Sequence, residues 1–153
     1  MTNFIDIGMM HPEEADLLYR MIERVAKQMV CQDFEKEGHA EFFKAVSYIL
    51  YESPKNHLSL VARIKDRPVG FIDIHDKIHI CLFFVELNLQ GRGIGRRLFE
   101  EATKHCYPET SPFFEVNSSL YAVPIYESLG FVQKSDVRLL NGIRFIEMCF
   151  NEF

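Results

Sequence analysis

Three glycines in alternation and three arginines mark one short stretch of the chain as a candidate site for an anion. The glycines are Gly91, Gly93 and Gly95, and the arginines are Arg92, Arg96 and Arg97. Apolar residues at Ile94, Leu98 and Ala102 recur every four positions, which predicts a helix that begins where the glycines end. The residues just before the glycines, 82–87, are mostly apolar and predict a strand.

The start of such a helix is suited to binding phosphate. The first helical turn has backbone N–H groups with no partner inside the helix, and the helix dipole is positive there. Glycines let the backbone adopt conformations closed to other residues and let a ligand approach closely. The stretch therefore predicts a phosphate site, and the alternative is a flexible turn ahead of a surface helix.

Spacing separates this stretch from two common phosphate loops. A P-loop is excluded because no Gly-Lys pair is followed by Ser or Thr. A dinucleotide fingerprint would need a third glycine where the chain has Arg96 or Leu98. The remaining pattern, Gln90-x-x-Gly93-x-Gly95, resembles the acetyl-CoA pyrophosphate loop Q/R-x-x-G-x-G/A of the GNAT N-acetyltransferase superfamily. The resemblance implies acetyl-CoA as the cofactor.

A second motif strengthens the resemblance. The segment Ala122-x-x-x-Tyr126-Glu127-x-Leu129-Gly130-Phe131 is similar to the A-x-x-x-Y-e-k-l-G-F segment of most GNAT domains. Tyr126 in this segment is 36 residues after Gln90, which is a usual separation in the superfamily. The V-N-S-S of residues 116–119 and the N-G-I-R-F of residues 141–145 resemble uncharacterised bacterial members. Two departures are Leu87, where many members have proline, and Pro124 inside the second motif.

The elements that must position these motifs follow from hydrophobic periodicity and turn residues. Strands are predicted at 4–7, 58–64, 68–74, 77–85, 113–117, 131–135 and 143–150, the last two joined by a turn at Asn141-Gly142. Helices are predicted from Pro12 to about Met29, over 40–51, from Gly93, and from Ser118 or Ser119 to Gly130, with a loop at 32–38. The resemblance implies that this loop and the helix after it form one wall of a substrate cleft. The prediction is an α/β (α+β) GNAT fold: one domain, 1–153, whose mixed central sheet of about six to seven strands is flanked by four helices.

Composition limits the class of protein. A chain of 153 residues with 48% hydrophobic and 25% charged residues is typical of one globular domain. A formal net charge of −5 argues against a general nucleic-acid binder and is compatible with an amine substrate. No run of 18 apolar residues is present, and the N-terminus lacks a basic region followed by an apolar block. A cytoplasmic protein with no membrane or nucleic-acid partner is therefore predicted.

Cysteine and histidine spacing predicts no metal site. Four cysteines, at 31, 81, 106 and 149, are widely separated without a C-x-x-C pair, so they are expected to be free thiols. His75 and His79 are four residues apart, but in a strand-like context that is unlike a zinc motif.

The resemblance assigns cofactor contacts. The backbone of Phe83, Phe84 and Val85 would pair with pantetheine, and an amide near Val85 would polarise the thioester carbonyl. The pyrophosphate would bind the loop formed by Gln90, Gly91, Arg92, Gly93, Ile94, Gly95 and Arg96. Asn117 would either contact pantetheine or cap the next helix. Tyr126 would lie near the CoA sulfur and donate a proton to the departing thiolate, the alternative being a core aromatic.

The general base has two candidates. His79 stands where some GNAT enzymes place a glutamate or histidine, and imidazole titrates near neutral pH. Strand alternation would place His79, Cys81, Phe83 and Val85 on one face, with Ile78, Ile80, Leu82 and Phe84 on the other. His79 would then be about 20 Å from Val85, at a rise of ~3.3 Å per residue. Glu86, beside Val85, is the competitor, and water alone is the third alternative.

The activity implied is acetyl transfer from acetyl-CoA to a primary amine of a small molecule or polypeptide by direct transfer. The alternative from another class is a non-catalytic acyl-CoA-binding sensor or partner protein. Transfer of another acyl group, or transfer to a hydroxyl, is a third reading. The acceptor, the acyl-chain preference and the choice between monomer and homodimer stay open at this point.

Overall fold

The computed structural model describes residues 4–151, in which one eight-stranded sheet carries helices on both faces. The strands are β1 (Ile5–Met9), β2 (His57–Ile64), β3 (Arg67–His75), β4 (His79–Val85), β5 (Phe113–Ser118), β6 (Val132–Gln133), β7 (Arg138–Leu140) and β8 (Ile143–Asn151). The helices are α1 (Ala15–Val25), α2 (Lys36–Glu52), α3 (Ile94–Cys106) and α4 (Val123–Leu129). Short 3-10 or π-helical turns lie at Pro12–Glu14, Ala26–Val30, Cys31–Asp33 and Leu87–Leu89. Among the helices of residues 4–151, none is both long and apolar enough to cross a membrane.

The strand order is β1-β2-β3-β4-β5-β8-β6, and β7 pairs with β8 outside this path. Every pairing is antiparallel except the one between β4 and β5. One core lies between the sheet and the α1–α2 pair, and a second lies between the sheet and α3 with α4. The predicted GNAT fold with four helices is confirmed, and the sheet has one or two strands more than predicted.

The additional strand arises near the C-terminus. A strand was predicted over 131–135, but only Val132–Gln133 pairs with β8, and β7 forms separately. The Asn141-Gly142 turn joins β7 to β8 instead of joining 131–135 to β8. Both turn residues have positive φ, +50° and +81°, as the Asn-Gly type of hairpin turn requires.

Helix α2 begins four residues earlier than predicted. Gly38 suggested a loop, yet it lies in the first turn of α2 and is buried. A Cβ on Gly38 would overlap the carbonyl oxygen of Gly142 in the β7–β8 turn. The Glu35 backbone N–H also donates a hydrogen bond of 2.8 Å to that oxygen. Gly38 is therefore explained by close packing between α2 and the hairpin, and we call this contact the glycine contact.

A β-bulge at Cys81 corrects the predicted faces of β4. Leu82 pairs with Asp73 and Ile80 pairs with Ile74, so Cys81 is the extra residue. Because cross-strand partners share a face, His79, opposite His75, lies on the α1–α2 face. Phe83 and Val85 pack in the core under α3. The expectation that His79 shares a face with Phe83 and Val85 is therefore wrong, because both faces of β4 are apolar and the pattern carries no sign of the bulge.

A buried ion pair fixes the start of α1 against the sheet. The guanidinium of Arg63 donates two hydrogen bonds of 2.7 Å to the Glu14 carboxylate and one of 2.8 Å to the Met9 carbonyl. Burial acts to raise the pKa of Glu14, but the hydrogen bonds from Arg63 and from the His11 backbone outweigh it and hold this pKa below its ordinary value.

Candidate active site

The candidate site is a gap in the sheet between β4 and β5. The two strands pair only at His79 with Glu115 and at Ile80 with Val116, and beyond these residues they diverge. The gap opens into a cavity of about 800 Å³ that is lined from both faces of the sheet. Beyond Ile80, the edge of β4 that faces the gap has no strand partner among residues 4–151, so an extended ligand with amide groups can bind it as a strand would.

The glycine loop lies at one end of this cavity. Gly91 and Gly93 adopt φ values of +78° and +85°, which L-residues with side chains rarely adopt. No atom of the described residues lies within 4 Å of a Cβ built on either glycine, so the space above the loop is open. The Arg97 N–H makes a 3.0 Å helical bond to the Gly93 carbonyl, and the amides just before it are at the helix start. This geometry suits an anion such as pyrophosphate.

The three arginines do not all lie at the loop opening. Arg96 lines the cavity and donates a 2.8 Å hydrogen bond to the Ser128 carbonyl at the end of α4. Arg92 is exposed at the loop tip. Arg97 points toward β1, where it donates to the Ile5 carbonyl at 3.4 Å. Arg96 and Arg92 therefore lie near the loop, and Arg97 does not contribute to the candidate anion site.

Gln90 contacts the last residue of β4 and leaves the rest of its open edge uncovered. Its Nε2 donates a 2.9 Å hydrogen bond to the Val85 carbonyl, and its Oε1 accepts one of 2.7 Å from the Tyr121 hydroxyl. Gln90 thus positions the loop against the strand with its side chain. The sequence analysis missed Tyr121, which has no spacing signal of its own and is 31 residues from Gln90.

Tyr126 lies on the α3–α4 side of the gap. Its ring is buried against Phe83 and Phe131, at centroid distances of 6.0 and 5.2 Å. The hydroxyl makes no hydrogen bond within residues 4–151, yet it is not a fully buried unpaired atom, so it retains access to the cavity that Tyr126 lines. Burial raises the pKa of Tyr126 well above its ordinary value, and the phenol therefore carries its proton at neutral pH.

His79 lies at the narrow end of the gap, on the opposite face from Tyr126. Its Nδ1 is 3.4 Å from Glu115 Oε1, and its side chain is 34% exposed. The ring of Tyr126 packs beside Phe83. Phe83 pairs with Ile72 on β3 and His79 pairs with His75, so Phe83 and His79 are separated by three residues measured along β3. At ~3.3 Å per residue this separation is about 10 Å along the strand, while the level of Val85, whose partner is Gly70, is about 16 Å from His79.

Glu86 does not reach the cavity. Its carboxylate accepts hydrogen bonds of 2.8 and 3.4 Å from the guanidinium of Arg24, and it is not among the described residues that line the gap. The structure therefore brings Tyr126 and His79 to the gap and places the competing base candidate outside it. The Arg24–Glu86 pair could not be foreseen, because 62 residues separate its members.

Asn117 is exposed on β5 and lines the cavity. The N-cap residue of α4 is Ala122, so the prediction that the helix begins at Ser118 or Ser119 is wrong; Ser119 Oγ accepts a 3.2 Å hydrogen bond from the Ala122 N–H in the turn before the helix. Pro124 lies in the first turn of α4, where a missing N–H costs little. Of the two roles considered for Asn117, the geometry leaves the one that faces the cavity.

The opposite wall of the cavity was only partly predicted. It is formed by the segment before α2, by α2 itself and by the β7–β8 hairpin, through residues that include Phe34, Glu41, Phe42, Asn141, Arg144 and Phe145. Arg144 links the two elements, because it donates to the Asp33 carbonyl at 3.0 Å and lies 3.6 Å from the Glu35 carboxylate. The glycine contact holds the same junction. This wall is rich in aromatic rings, and among the described residues that line the cavity Glu41 supplies a carboxylate.

A parallel strand pair that opens beside a glycine loop at a helix start defines a site for a phosphate-bearing ligand with a long amide-containing arm. Residues 30–151 match the family described as the acetyltransferase (GNAT) domain, so the chain belongs to this family, whose cofactor is acetyl-CoA.

Solved structures of low sequence identity share the fold. A GCN5-related N-acetyltransferase from Rhodopseudomonas palustris is 20% identical, with 99% of each chain covered and a TM-score of 0.79. The PaiA N-acetyltransferase from Thermoplasma acidophilum, in complex with coenzyme A, is 17% identical, with 97% of this chain and 99% of that chain covered and a TM-score of 0.74. An aminoglycoside 6'-N-acetyltransferase complexed with coenzyme A is 15% identical, with coverage of 95% and 96% and a TM-score of 0.69.

Proposed function

We propose that this protein moves an acetyl group from acetyl-CoA to a primary amine of a small molecule or polypeptide in one direct step. The observation that carries the proposal is the gap between β4 and β5, which opens through the sheet to both faces. The glycine loop and Tyr126 lie on one side, and His79 and the α1–α2 wall lie on the other. Donor and acceptor can therefore enter from opposite faces and meet in the gap.

Bound acetyl-CoA supplies the thioester that is broken in the reaction. The backbone of β4 near Phe83 has a free edge that would hold its arm, and the Tyr126 ring packs against Phe83 beside this edge. As the C–N bond forms and the C–S bond breaks, Tyr126 donates its proton to the departing sulfur. The amine approaches past Glu41, whose carboxylate attracts an ammonium group, and the aromatic rings of Phe34 and Phe42 can contact its apolar part.

His79 is proposed to accept the amine proton. The separation of about 10 Å along the strand is too long for a direct hydrogen bond, so one or more waters would connect them. Matched variants test this role: His79→Gln is expected to lower kcat/KM by roughly 10²-fold or more, while Glu86→Gln keeps it. Both are assayed in the presence of a chelator. Equal rates for His79→Gln and the parent would assign the proton transfer to solvent.

A thiol-release assay over a panel of amines, run beside calorimetry with acetyl-CoA, tests the activity itself. Release with any primary amine supports the proposal. Tight binding of acetyl-CoA without release on any acceptor would instead support the non-catalytic sensor. The panel also contains alcohols and longer acyl-CoA donors, and preference for either would replace the proposed reaction by another acyl transfer.

A further inference from the structure

We propose that His57, Asp73 and Cys81 form a binding site for a divalent transition metal ion of the zinc type. The three side chains lie on the α1–α2 face of the sheet, beside the narrow end of the gap. One ligand atom from each, a ring nitrogen, a carboxylate oxygen and the thiol sulfur, lies within 4.8 Å of the other two. This site is separate from the glycine loop and from Tyr126.

Strand pairing brings these residues together from three adjacent strands. His57 is on β2, Asp73 on β3 and Cys81 on β4. Ser59 of β2 pairs with Asp73, and Asp73 pairs with Leu82. The β-bulge at Cys81 interrupts strict alternation, and the thiol sulfur lies within 4.8 Å of a carboxylate oxygen of Asp73. Without the extra residue, strict alternation would place the Cys81 side chain on the face opposite Leu82 and Asp73.

The polar groups are already oriented toward one another. His57 Nδ1 is 2.6 Å from Asp73 Oδ1, and the Ser59 hydroxyl donates a 2.6 Å hydrogen bond to Asp73 Oδ2. Asp73 is completely buried, and the His57 side chain is only 11% exposed. A buried carboxylate is costly unless a positive charge or hydrogen bonds compensate it, and a bound cation would supply that charge.

The donor set suits zinc. Imidazole, carboxylate and thiolate are its usual ligands, at about 2.0–2.3 Å. Tetrahedral geometry at these bond lengths separates ligand atoms by roughly 3.3–3.8 Å, so side-chain shifts of about 1 Å would complete the site. Three protein ligands leave a fourth position, which water or the Ser59 hydroxyl can occupy.

The same residues could instead suggest a nucleophilic cysteine with a His-Asp pair. Two observations argue against this reading. The Cys81 thiol donates its hydrogen bond, at 3.7 Å, to the backbone carbonyl of His79 and not to an imidazole. Within residues 4–151 no hydrogen bond joins Cys81 to the His57 imidazole, whereas a nucleophilic cysteine needs that contact with its base. A bound cation would displace the thiol proton, because metal ligation requires the thiolate.

An ion can reach the site from two sides. Cys81 lines the large cavity, and His57 lines a second cavity of about 370 Å³ with Asn56, Asp76 and Lys77. The proposal departs from the prediction made from residue spacing. His57, Asp73 and Cys81 form no spacing motif, since strand pairing alone assembles them.

Cobalt(II) is the probe for the first experiment, with tag-free, metal-depleted protein and no coenzyme A, whose thiol would compete. The parent is expected to bind one equivalent, with a thiolate-to-cobalt charge-transfer band that added zinc abolishes. Cys81→Ser should remove the band, and the matched control Cys149→Ser, on β8, should keep it. No band in the parent, or a band that persists in Cys81→Ser, would overturn the proposal.

A second measurement needs no variant. Zinc-edge X-ray absorption of the parent loaded with one equivalent of Zn²⁺ should show one sulfur at about 2.3 Å and nitrogen or oxygen ligands at about 2.0–2.1 Å. A shell of oxygen and nitrogen alone, or of two or more sulfurs, would place the metal elsewhere and contradict the site. His57→Gln then tests the imidazole: it should weaken zinc binding by at least tenfold in competition with a chromophoric chelator, and unchanged affinity would remove His57 from the site.

Discussion

The glycine contact allows a comparison of the same substitution at two helix starts. Gly38 lies in the first turn of α2 and Gly95 in the first turn of α3. A Cβ on Gly38 would overlap the backbone of Gly142, whereas a Cβ on Gly95 would meet the side chains of Phe83 and Val85 at ordinary distances of 3.6–3.7 Å. Alanine is therefore expected to have opposite effects at the two positions.

The magnitudes follow from helix propensity and overpacking. Replacing a helical glycine by alanine stabilises by about 0.5–1 kcal/mol where there is room, so Gly95→Ala should gain this amount. Gly38→Ala has the same gain but must displace the hairpin backbone, at a cost of typically 1–3 kcal/mol, and it also weakens the hydrogen bond from Glu35 to Gly142. The two variants should differ in free energy of unfolding by about 2 kcal/mol.

Urea denaturation of both variants and the parent measures this difference. In thermal denaturation, 1 kcal/mol shifts the melting temperature of a chain of this size by about 2–4 °C, so the melting temperatures of the two variants should differ by at least ~4 °C. Amide hydrogen exchange gives a local readout, because the Glu35 N–H should exchange faster in Gly38→Ala and at the parental rate in Gly95→Ala. If Gly38→Ala were as stable as Gly95→Ala, with Glu35 equally protected, the close packing of α2 against the hairpin would be refuted.

Three further predictions concern the loop, the proposed acid and the buried ion pair. Gly93→Val, at φ +85°, should weaken acetyl-CoA binding by at least tenfold while the protein stays folded, and calorimetry that gave an unchanged affinity would show the loop to be misassigned. Tyr126→Phe should keep acetyl-CoA affinity and lower turnover roughly 10²–10⁴-fold in single-turnover kinetics, and a parental rate would remove the acid role. Because the folded-state pKa of Glu14 is lowered from 4.5, its pair with Arg63 stabilises the fold above about pH 4.5, and this contribution is lost as the pH falls through the lowered pKa. Glu14→Gln should therefore cost about 3 kcal/mol at pH 7 and progressively less toward pH 2; a cost that does not change with pH would contradict this assignment.

The sequence predicted the elements and the loop because these depend on local patterns. Apolar periodicity located α3, and the glycine spacing indicated the loop at its start. Contacts between distant elements carried no such signal. Gly38 was interpreted as a loop residue, because the carbonyl that explains this glycine is more than 100 residues away in the chain. The bulge at Cys81 was hidden for a different reason, since a strand covered on both faces is apolar on both faces whatever its register.

The bulge, which the sequence pattern did not reveal, affects the choice between the two candidates for the general base. Alternation placed His79 on the face of Val85 and made Glu86 the nearer group. In the structure His79 lies on the opposite face and closer to the level of Tyr126, while Arg24 engages Glu86. The extra residue in β4 therefore changes the face on which His79 lies, and the separate ion pair with Arg24 keeps Glu86 away from the cavity.

The sparse pairing between β4 and β5 also affects how the protein unfolds. Within the sheet formed by residues 4–151, strands β1–β4 are joined to β5–β8 through two residue pairs, and the glycine contact connects α2 with the β7–β8 hairpin on one face. A ligand bound along the open edge of β4 would bridge the two groups of strands, so cofactor concentration should set the cooperativity of unfolding as well as the rate of the reaction. At a hundred times its dissociation constant, such a ligand adds about 2.7 kcal/mol to the free energy of unfolding. Without it, the two groups of strands should unfold with less cooperativity, β5–β8 separating from β1–β4 first.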